Sequence, residues 1–213
     1  MGNIQHYITS RQLNPTIWLV VILLLLTSCD RNRLTQMEDD GIILAFGDSL
    51  TVGVGTSPAT AYPSILSELS GHAVINAGVS GETTSEGLGR WPEIIEQTAP
   101  QLIILLEGGN DILRNKNHQK IKQNLAEMIE YAQEKQIEVV LIGVPAKNIL
   151  FSVAPFYNEL AKEYSLIYSA NLLPDLLRDA NYKSDAIHLN EKGYHILAQS
   201  IHEMLIAKGA LTN

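Results

Sequence analysis

The sequence predicts an α/β fold built around a five-stranded parallel sheet, and three observations carry that prediction. Five short apolar runs, each of a length suited to a buried strand, recur along the chain from residue 41 onward. Segments with apolar residues at helical spacing separate these runs. No repeat or second composition regime interrupts the pattern, so residues 41–213 are expected to form one domain. Strands alternating with helices require right-handed crossovers, which cover both faces of a parallel sheet.

The five predicted strands are short and almost wholly apolar. They cover residues 42–46, 73–75, 102–106, 139–142 and 166–168. The third reads Leu-Ile-Ile-Leu-Leu without a polar residue, which is typical of a strand that is buried on both faces.

Five helices are predicted between and after these strands, from apolar residues three and four positions apart. They cover residues 62–69, 84–97, 121–132, 156–164 and 194–207. Pro63 falls in the first turn of its helix, where proline is tolerated. Pro92 falls inside the second helix, which it is expected to interrupt because proline lacks the N–H for a helical hydrogen bond.

Charge and residue content exclude several classes of protein. The chain has 213 residues and a formal net charge of −8, which argues against the basic surface that nucleic-acid binding needs. Its single cysteine excludes an intramolecular disulfide and a zinc site built from several cysteines. No His-Glu-x-x-His motif occurs, and residues 53–56, Gly-Val-Gly-Thr, lack the following Gly-Lys of a phosphate loop. We expect no nucleic-acid partner, no metal and no organic cofactor.

The amino-terminal segment has the features of an export signal. Residues 17–26 form an unbroken apolar run that is too short to cross a membrane but suits the core of a signal peptide. Arg11 is the only formally charged side chain before it. The run leads into residues 26–29, Leu-Thr-Ser-Cys, which resemble the lipobox of bacterial lipoproteins.

That resemblance implies cleavage after residue 28 and attachment of several acyl chains to Cys29, which together give stable membrane anchoring. Residues 1–28 are then a lipoprotein signal peptide, and residues 29–40, which are polar and aperiodic, a tether. The implied location is the bacterial cell envelope, facing the periplasm, on either the inner or the outer membrane. The alternative is that Cys29 is an ordinary residue that follows an uncleaved signal anchor.

Polar segments stand where the functional loops of a parallel sheet lie. Residues 47–51 follow the first predicted strand, residues 76–84 the second and residues 108–111 the third, while residues 185–190 precede the last helix. Because the carboxyl ends of parallel strands meet at one edge of the sheet, we expect these segments to converge there.

These segments contain the residue types of an acyl-transfer site. Ser49 becomes a nucleophile once a base accepts its hydroxyl proton. His188 can be that base, and Asp185 on the same loop can orient the imidazole. The backbone N–H groups of Ser49 and Gly81 and the side-chain amide of Asn110 are candidate donors to an oxyanion.

Ser80 is the rival nucleophile. It stands in Gly-Val-Ser-Gly, residues 78–81, which is not the Gly-x-Ser-x-Gly elbow of α/β-hydrolases. We therefore favour Ser49.

The order of these residues resembles the four sequence blocks of the SGNH, or GDSL, hydrolase family. The match spans residues 42–205 and makes residues 41–213 the hydrolase domain. The resemblance implies a three-layer α/β/α, flavodoxin-like sandwich and a serine ester hydrolase that needs no metal or cofactor. Carried over by position, it implies a nucleophile, an orienting acid, a base and two oxyanion-hole residues: Ser49, Asp185, His188, Gly81 and Asn110.

Residues 76–84 most resemble the thioesterase, arylesterase and lysophospholipase branch of that family. This implies a small ester or thioester substrate, with lipid among the candidates. Residues 144–156 form a long apolar segment that is predicted to line the acyl site, with Leu150 and Phe151 contacting the acyl chain. Glu107 departs from the family pattern, since an apolar residue is commoner there, and the sequence leaves open whether it faces the sheet edge or the pocket.

Two other interpretations stay open at this point. The first is a carbohydrate or cell-wall O-acetyl esterase, which the same fold can host. No exposed aromatic platform for sugars is evident in the sequence, since Trp91 is the one tryptophan outside the leader. The second is a lipoprotein scaffold that has the fold but not the activity. The oligomeric state is not determined by the sequence.

Overall fold

Five parallel strands form a single sheet in the computed structural model, which describes residues 33–146 and 152–212. Their spatial order is β2-β1-β3-β4-β5. The strands are β1 (Ile42–Gly47), β2 (Ala73–Gly78), β3 (Leu102–Leu106), β4 (Glu138–Ile142) and β5 (Ile167–Ser169). The chain runs from β1 to one side and then returns to the other, which opens a crevice beyond the carboxyl ends of β1 and β3.

Eight α-helices occur in the described ranges, and the longer ones cover the two faces of the sheet. They are α1 (Ser49–Val52), α2 (Tyr62–Ser70), α3 (Thr84–Thr98), α4 (Gly109–Leu113), α5 (His118–Glu134), α6 (Pro155–Glu163), α7 (Leu172–Arg178) and α8 (Glu191–Ala207). Helix α2 packs against α8, and α3 packs against α5, which also contacts α6. Right-handed crossovers place these two groups on opposite faces, so the predicted α/β/α sandwich is confirmed.

The centre of the sheet is the most deeply buried part of the core. Every residue of β3 is at most 1% exposed. Because the whole strand is buried, its apolar run at residues 102–106 coincides with the strand observed in the structure. By contrast, β2 is longer than predicted, because its pairing with β1 continues through Asn76, Ala77 and Gly78.

The prediction that Pro92 interrupts the second helix is wrong. Helix α3 runs unbroken from Thr84 to Thr98 with Pro92 inside it. Trp91 and Ile95, on either side of the proline, are buried in the core. Their packing keeps the two halves of the helix in line, which outweighs the loss of one backbone hydrogen bond.

Residues 33–40, the described part of the predicted tether, pack against the domain. Leu34 and Met37 are buried, and their N–H groups donate to the carbonyl oxygens of Lys208 and Ala210 at 2.8 Å each. This stretch is therefore not a free chain. The predicted signal peptide (residues 1–28), Cys29, Leu150 and Phe151 lie outside the described residues. Among the residues described, no helix has the length and hydrophobicity to cross a membrane.

Candidate active site

Three side chains form a continuous hydrogen-bonded chain at the carboxyl edge of the sheet. The Oγ atom of Ser49 lies 3.0 Å from Nε2 of His188. The other ring nitrogen of His188, Nδ1, lies 2.7 Å from Oδ2 of Asp185. The structure thus brings together the serine, histidine and aspartate that the sequence analysis singled out.

Ser49 is presented by a tight strand-to-helix junction. It is the first residue of α1, directly after Asp48, whose buried carboxylate accepts the N–H of Leu50 at 3.0 Å and so caps the helix. Gly47 is needed just before, because a Cβ there would lie 1.9 Å from the carbonyl oxygen of Leu106. This junction fixes the position from which the Ser49 hydroxyl projects.

The loop before α8 holds Asp185 and His188 in a fixed relation. Oδ1 of Asp185 accepts the backbone N–H groups of Ile187 and His188, each at 2.8 Å, while Oδ2 bonds the imidazole. The hydrogen bond from the His188 side chain, reinforced by those from the backbone, lowers the pKa of Asp185 to about 2. The carboxylate is therefore ionised throughout the neutral range.

Asn110 and Asp111 lie at the start of α4, directly after β3. The amide Nδ2 of Asn110 donates to Oδ2 of Asp48 at 3.3 Å, which orients it beside Ser49. Asp111 is buried and accepts both the N–H and the hydroxyl of Thr84, at 2.7 and 3.1 Å. Asp111 therefore ties the loop after β3 to the start of α3.

Gly81 lies in a turn beside the end of β1. The N–H of Val79 donates to the carbonyl oxygen of Gly47 at 2.9 Å, and the N–H of Glu82 closes the turn onto the carbonyl oxygen of Val79 at 3.2 Å. Gly81 has φ +81°, as the third residue of a type II turn requires. Below the turn, the buried carboxylate of Glu82 accepts Nε of Arg90 at 2.6 Å.

A largely apolar cavity of about 270 Å³ opens beside Ser49. Of the segment predicted to line it, Val144, Pro145 and Ala146 do so, whereas Leu150 and Phe151 are not described. The sequence analysis missed Leu177 and the apolar residues of α4. The full lining is Asp48, Ser49, Leu50, Gly109, Asn110, Ile112, Leu113, Val144, Pro145, Ala146, Leu177, Ala186 and Ile187. Across the ranges described, no three His, Cys, Asp or Glu side chains cluster so as to hold a metal ion.

Glu107 is fully buried and does not line the cavity. Its Oε1 accepts the N–H of Gly108 at 3.0 Å, whereas Oε2 has no hydrogen-bond partner within the described part of the chain. Burial, together with the nearby carboxyl group of Asp48, raises the pKa of Glu107 well above its ordinary value. Burial likewise raises the pKa of Asp48 to about 6. Burial therefore favours the protonated, neutral form of Glu107 beneath the site.

Replacing Glu107 by glutamine is expected to remove part of the pH dependence of stability. The folded protein retains a proton on Glu107 that the unfolded chain releases above a pH of about 4.5. Wild-type stability therefore falls as pH rises from there toward the folded-state pKa, by up to about 1.4 kcal/mol per pH unit. Glutamine releases no proton and can still accept the N–H of Gly108.

Urea unfolding at pH 5, 6 and 7 measures this effect. The free energy of unfolding of Glu107→Gln minus that of the wild type should be larger at pH 7 than at pH 5. Glu134→Gln, on an exposed glutamate of α5, is the control and should give a constant difference. A constant difference for Glu107→Gln as well would contradict the prediction.

Comparison with known proteins identifies the family of the chain. The sequence model of the GDSL-like Lipase/Acylhydrolase family matches residues 45–196. Thioesterase 1/protease 1/lysophospholipase L1 of Escherichia coli K12 is 31% identical over 177 residues, which cover 76% of this chain and 82% of that protein.

Solved structures show the same architecture. AlinE4, an SGNH-hydrolase family esterase, is 30% identical with a TM-score of 0.60, and the match covers 81% of this chain and 98% of AlinE4. Psychrotrophic esterase EstA from Pseudoalteromonas sp. shares the fold at 21% identity, with a TM-score of 0.71 over 79% of this chain and 98% of its own. By the extent of the sequence match and the agreement in fold, the chain belongs to the GDSL-like lipase/acylhydrolase family.

Proposed function

We propose that the protein is a serine carboxylic ester hydrolase. The observation that carries the proposal is the unbroken hydrogen-bonded chain from Ser49 through His188 to Asp185. In this proposal Ser49 is the nucleophile and His188 is the general base. Asp185 holds the imidazole in the tautomer that can accept the Ser49 proton, and it stabilises the imidazolium that forms.

The reaction proceeds in two steps through an acyl-enzyme. Ser49 Oγ attacks the carbonyl carbon of the ester or thioester while its proton passes to Nε2 of His188. The imidazolium then gives this proton to the leaving alcohol or thiol as the carbon–oxygen or carbon–sulfur bond breaks. Water, deprotonated by His188, attacks the acyl-enzyme, and the carboxylic acid leaves as Ser49 regains its proton.

Donors at the sheet edge stabilise the oxyanion of each tetrahedral intermediate. A primary amide carries two N–H bonds, and Asn110 uses one on Asp48, so the other is available to the oxyanion. The N–H groups of Gly81 and Ser49 are the remaining proposed donors. Removing one such donor typically costs about 10²–10³ in turnover.

The apolar cavity supports an acyl chain as the group bound beside Ser49. Ile112, Val144 and Leu177 provide hydrocarbon surface there. The names of the Escherichia coli relative, thioesterase and lysophospholipase, support acyl thioesters and lysophospholipids as candidate substrates. Trp91 offers no stacking surface to a carbohydrate ester, because it is 0% exposed.

Ile187→Ala is expected to impair long-chain esters more than short ones. Ile187 lines the cavity while 40% exposed, so it can bury further surface against a bound acyl chain. Losing that contact should lower kcat/KM for p-nitrophenyl octanoate by about three- to tenfold and for the acetate by less than about twofold. The measurement is the octanoate-to-acetate ratio of kcat/KM.

Leu69→Ala is the matched control, since Leu69 is 37% exposed and does not line this cavity. Its ratio should equal that of the wild type. An equal fall for both esters in Ile187→Ala would mean that the substitution disturbs the neighbouring His188 rather than acyl binding.

Covalent labelling tests the assignment of the nucleophile. A fluorophosphonate probe should modify wild-type protein and Ser80→Ala but not Ser49→Ala, with the adduct on Ser49 in a peptide map. Labelling of Ser80 would reassign the nucleophile. A wild type that does not label would support the inactive-scaffold alternative.

The proposed membrane anchor is the thiol of Cys29, in the cell envelope facing the periplasm. It is supported by the lipobox-like residues 26–29 at the end of an apolar run. Expressed in bacteria with labelled palmitate, the wild type should incorporate label and sediment with membranes, whereas Cys29→Ser should do neither. Incorporation that survives Cys29→Ser would overturn the anchor.

A further inference from the structure

Arg114 links two of the three parts of the chain that supply the proposed oxyanion donors, those of Gly81 and Asn110. We propose that Arg114 is a positioning residue of the hydrolytic reaction, which holds the turn carrying Gly81 in register with the helix carrying Asn110. This inference rests on the proposed function. It concerns a side chain that neither the sequence motifs nor the hydrogen-bonded triad includes.

The geometry places Arg114 and Asn110 on one turn of chain. Arg114 caps the end of α4, and its backbone N–H donates to the carbonyl oxygen of Asn110 at 3.0 Å. Residues four apart lie on the same side of a helical turn. From there, Nη2 of Arg114 donates to the carbonyl oxygen of Gly81 at 3.0 Å. The same helical turn therefore presents Asn110 to the cavity and Arg114 to the Gly81 turn.

The Gly81 turn has little else on its outer side. Beyond chain neighbours, Nη2 of Arg114, at 3.7 Å, is the only atom of the described chain within 4 Å of where a Gly81 Cβ would stand. The N–H of Gly81 belongs to the central peptide group of the turn, which joins Ser80 to Gly81. If this peptide group rotates by about 180°, the type II turn becomes a type I turn and the N–H points the other way. Glycine presents little barrier to this rotation, because it adopts positive and negative φ angles about equally readily. The direction of this N–H therefore depends on how firmly the turn is held.

Other contacts anchor the turn from inside the domain. The buried Glu82 carboxylate pairs with Arg90, and the buried Asp111 carboxylate binds Thr84. These contacts keep the backbone folded without Arg114, which is exposed. Loss of the Arg114 side chain should therefore move the Gly81 donor while leaving the fold intact.

The proposal is tested by steady-state kinetics on p-nitrophenyl acetate. The variants are Arg114→Ala and Arg114→Lys, and the thermal unfolding of each is measured as well. Arg114→Ala should lower kcat about tenfold, less than the loss of a donor, with KM within about twofold and an unchanged midpoint of unfolding. Arg114→Lys keeps one N–H donor and should recover kcat to within about threefold of the wild type. Lys116→Ala is the control, because it removes an equal charge two residues away and should behave as the wild type.

Three results would overturn the proposal. The first is a kcat of Arg114→Ala within twofold of the wild type. The second is a rise in the KM of Arg114→Ala at constant kcat, which would make Arg114 a substrate-binding residue. The third is a kcat of Arg114→Lys that does not recover relative to Arg114→Ala. A wild type without esterase activity would remove this proposal together with the proposed function. An active wild type that depends on Ser49 but not on Arg114 would remove this proposal alone.

Discussion

Ser49→Ala should reduce the turnover of p-nitrophenyl esters by at least about 10⁴-fold, because no other described hydroxyl lies in hydrogen-bond contact with Nε2 of His188. Without the hydroxyl no acyl-enzyme forms, and the residual rate reflects water attack assisted by the oxyanion donors. The variant should keep its fold, since Asp48 still caps α1 through the N–H of Leu50. Stopped assays of product release at saturating ester measure the effect.

Ser85→Ala is a suitable control, because Ser85 is an exposed serine in the first turn of α3. It should retain wild-type turnover. Ser49→Ala turnover within tenfold of the wild type would reject the nucleophile assignment, whatever the labelling experiment shows.

Asp185→Asn should reduce turnover by about 10³-fold or more. The carboxylate accepts the N–H at Nδ1 of His188, which leaves Nε2 free to accept the Ser49 proton. An amide that turns its NH₂ toward Nδ1 favours the opposite tautomer, in which Nε2 carries the proton and cannot act as a base. Because the pKa of Asp185 is about 2, the wild-type carboxylate is ionised at every pH from 6 to 9, and the loss should persist across that range.

Asp179→Asn is the matched control for this change. Asp179 also accepts a backbone N–H two residues ahead, that of Asn181 at 2.9 Å, and no imidazole contact is found for it in the described structure. The Asp179→Asn substitution should reduce turnover by less than about twofold. A similar fall in both variants would indicate that Asp185 acts only by holding its loop.

Buried periodic segments could be predicted from the sequence, while elements stabilised by tertiary contacts could not. The limits of β3 follow from an apolar run that is buried on both faces. Helix α7 was missed because Leu172–Arg178 is short and has Pro174 in its first turn, so it depends on burying Leu173, Leu176 and Leu177. Residues 76–78, Asn-Ala-Gly, do not continue the apolar run of residues 73–75, yet their pairing with β1 makes them part of β2.

In the candidate site, too, some features could be predicted from the sequence and others depend on tertiary contacts. The positions of Ser49, Asp185 and His188 in the chain allowed them to be named together, because strand ends converge in a parallel sheet. Their catalytic roles remain predictions. The cavity wall contributed by Leu177 could not be foreseen without α7, and the direction of Glu107 depends on side-chain packing that has no signature in the order of residues.

The packing of residues 33–40 bears on which molecules could reach Ser49. Thr35 and Glu38 bind the side chains of Glu138, at the start of β4, and Gln101, just before β3. This places them at the amino edge of the sheet, about 20 Å of strand from the opposite edge. Residues 33–40 therefore lie at the edge of the sheet opposite Ser49, and they leave the opening of the cavity beside Ser49 uncovered.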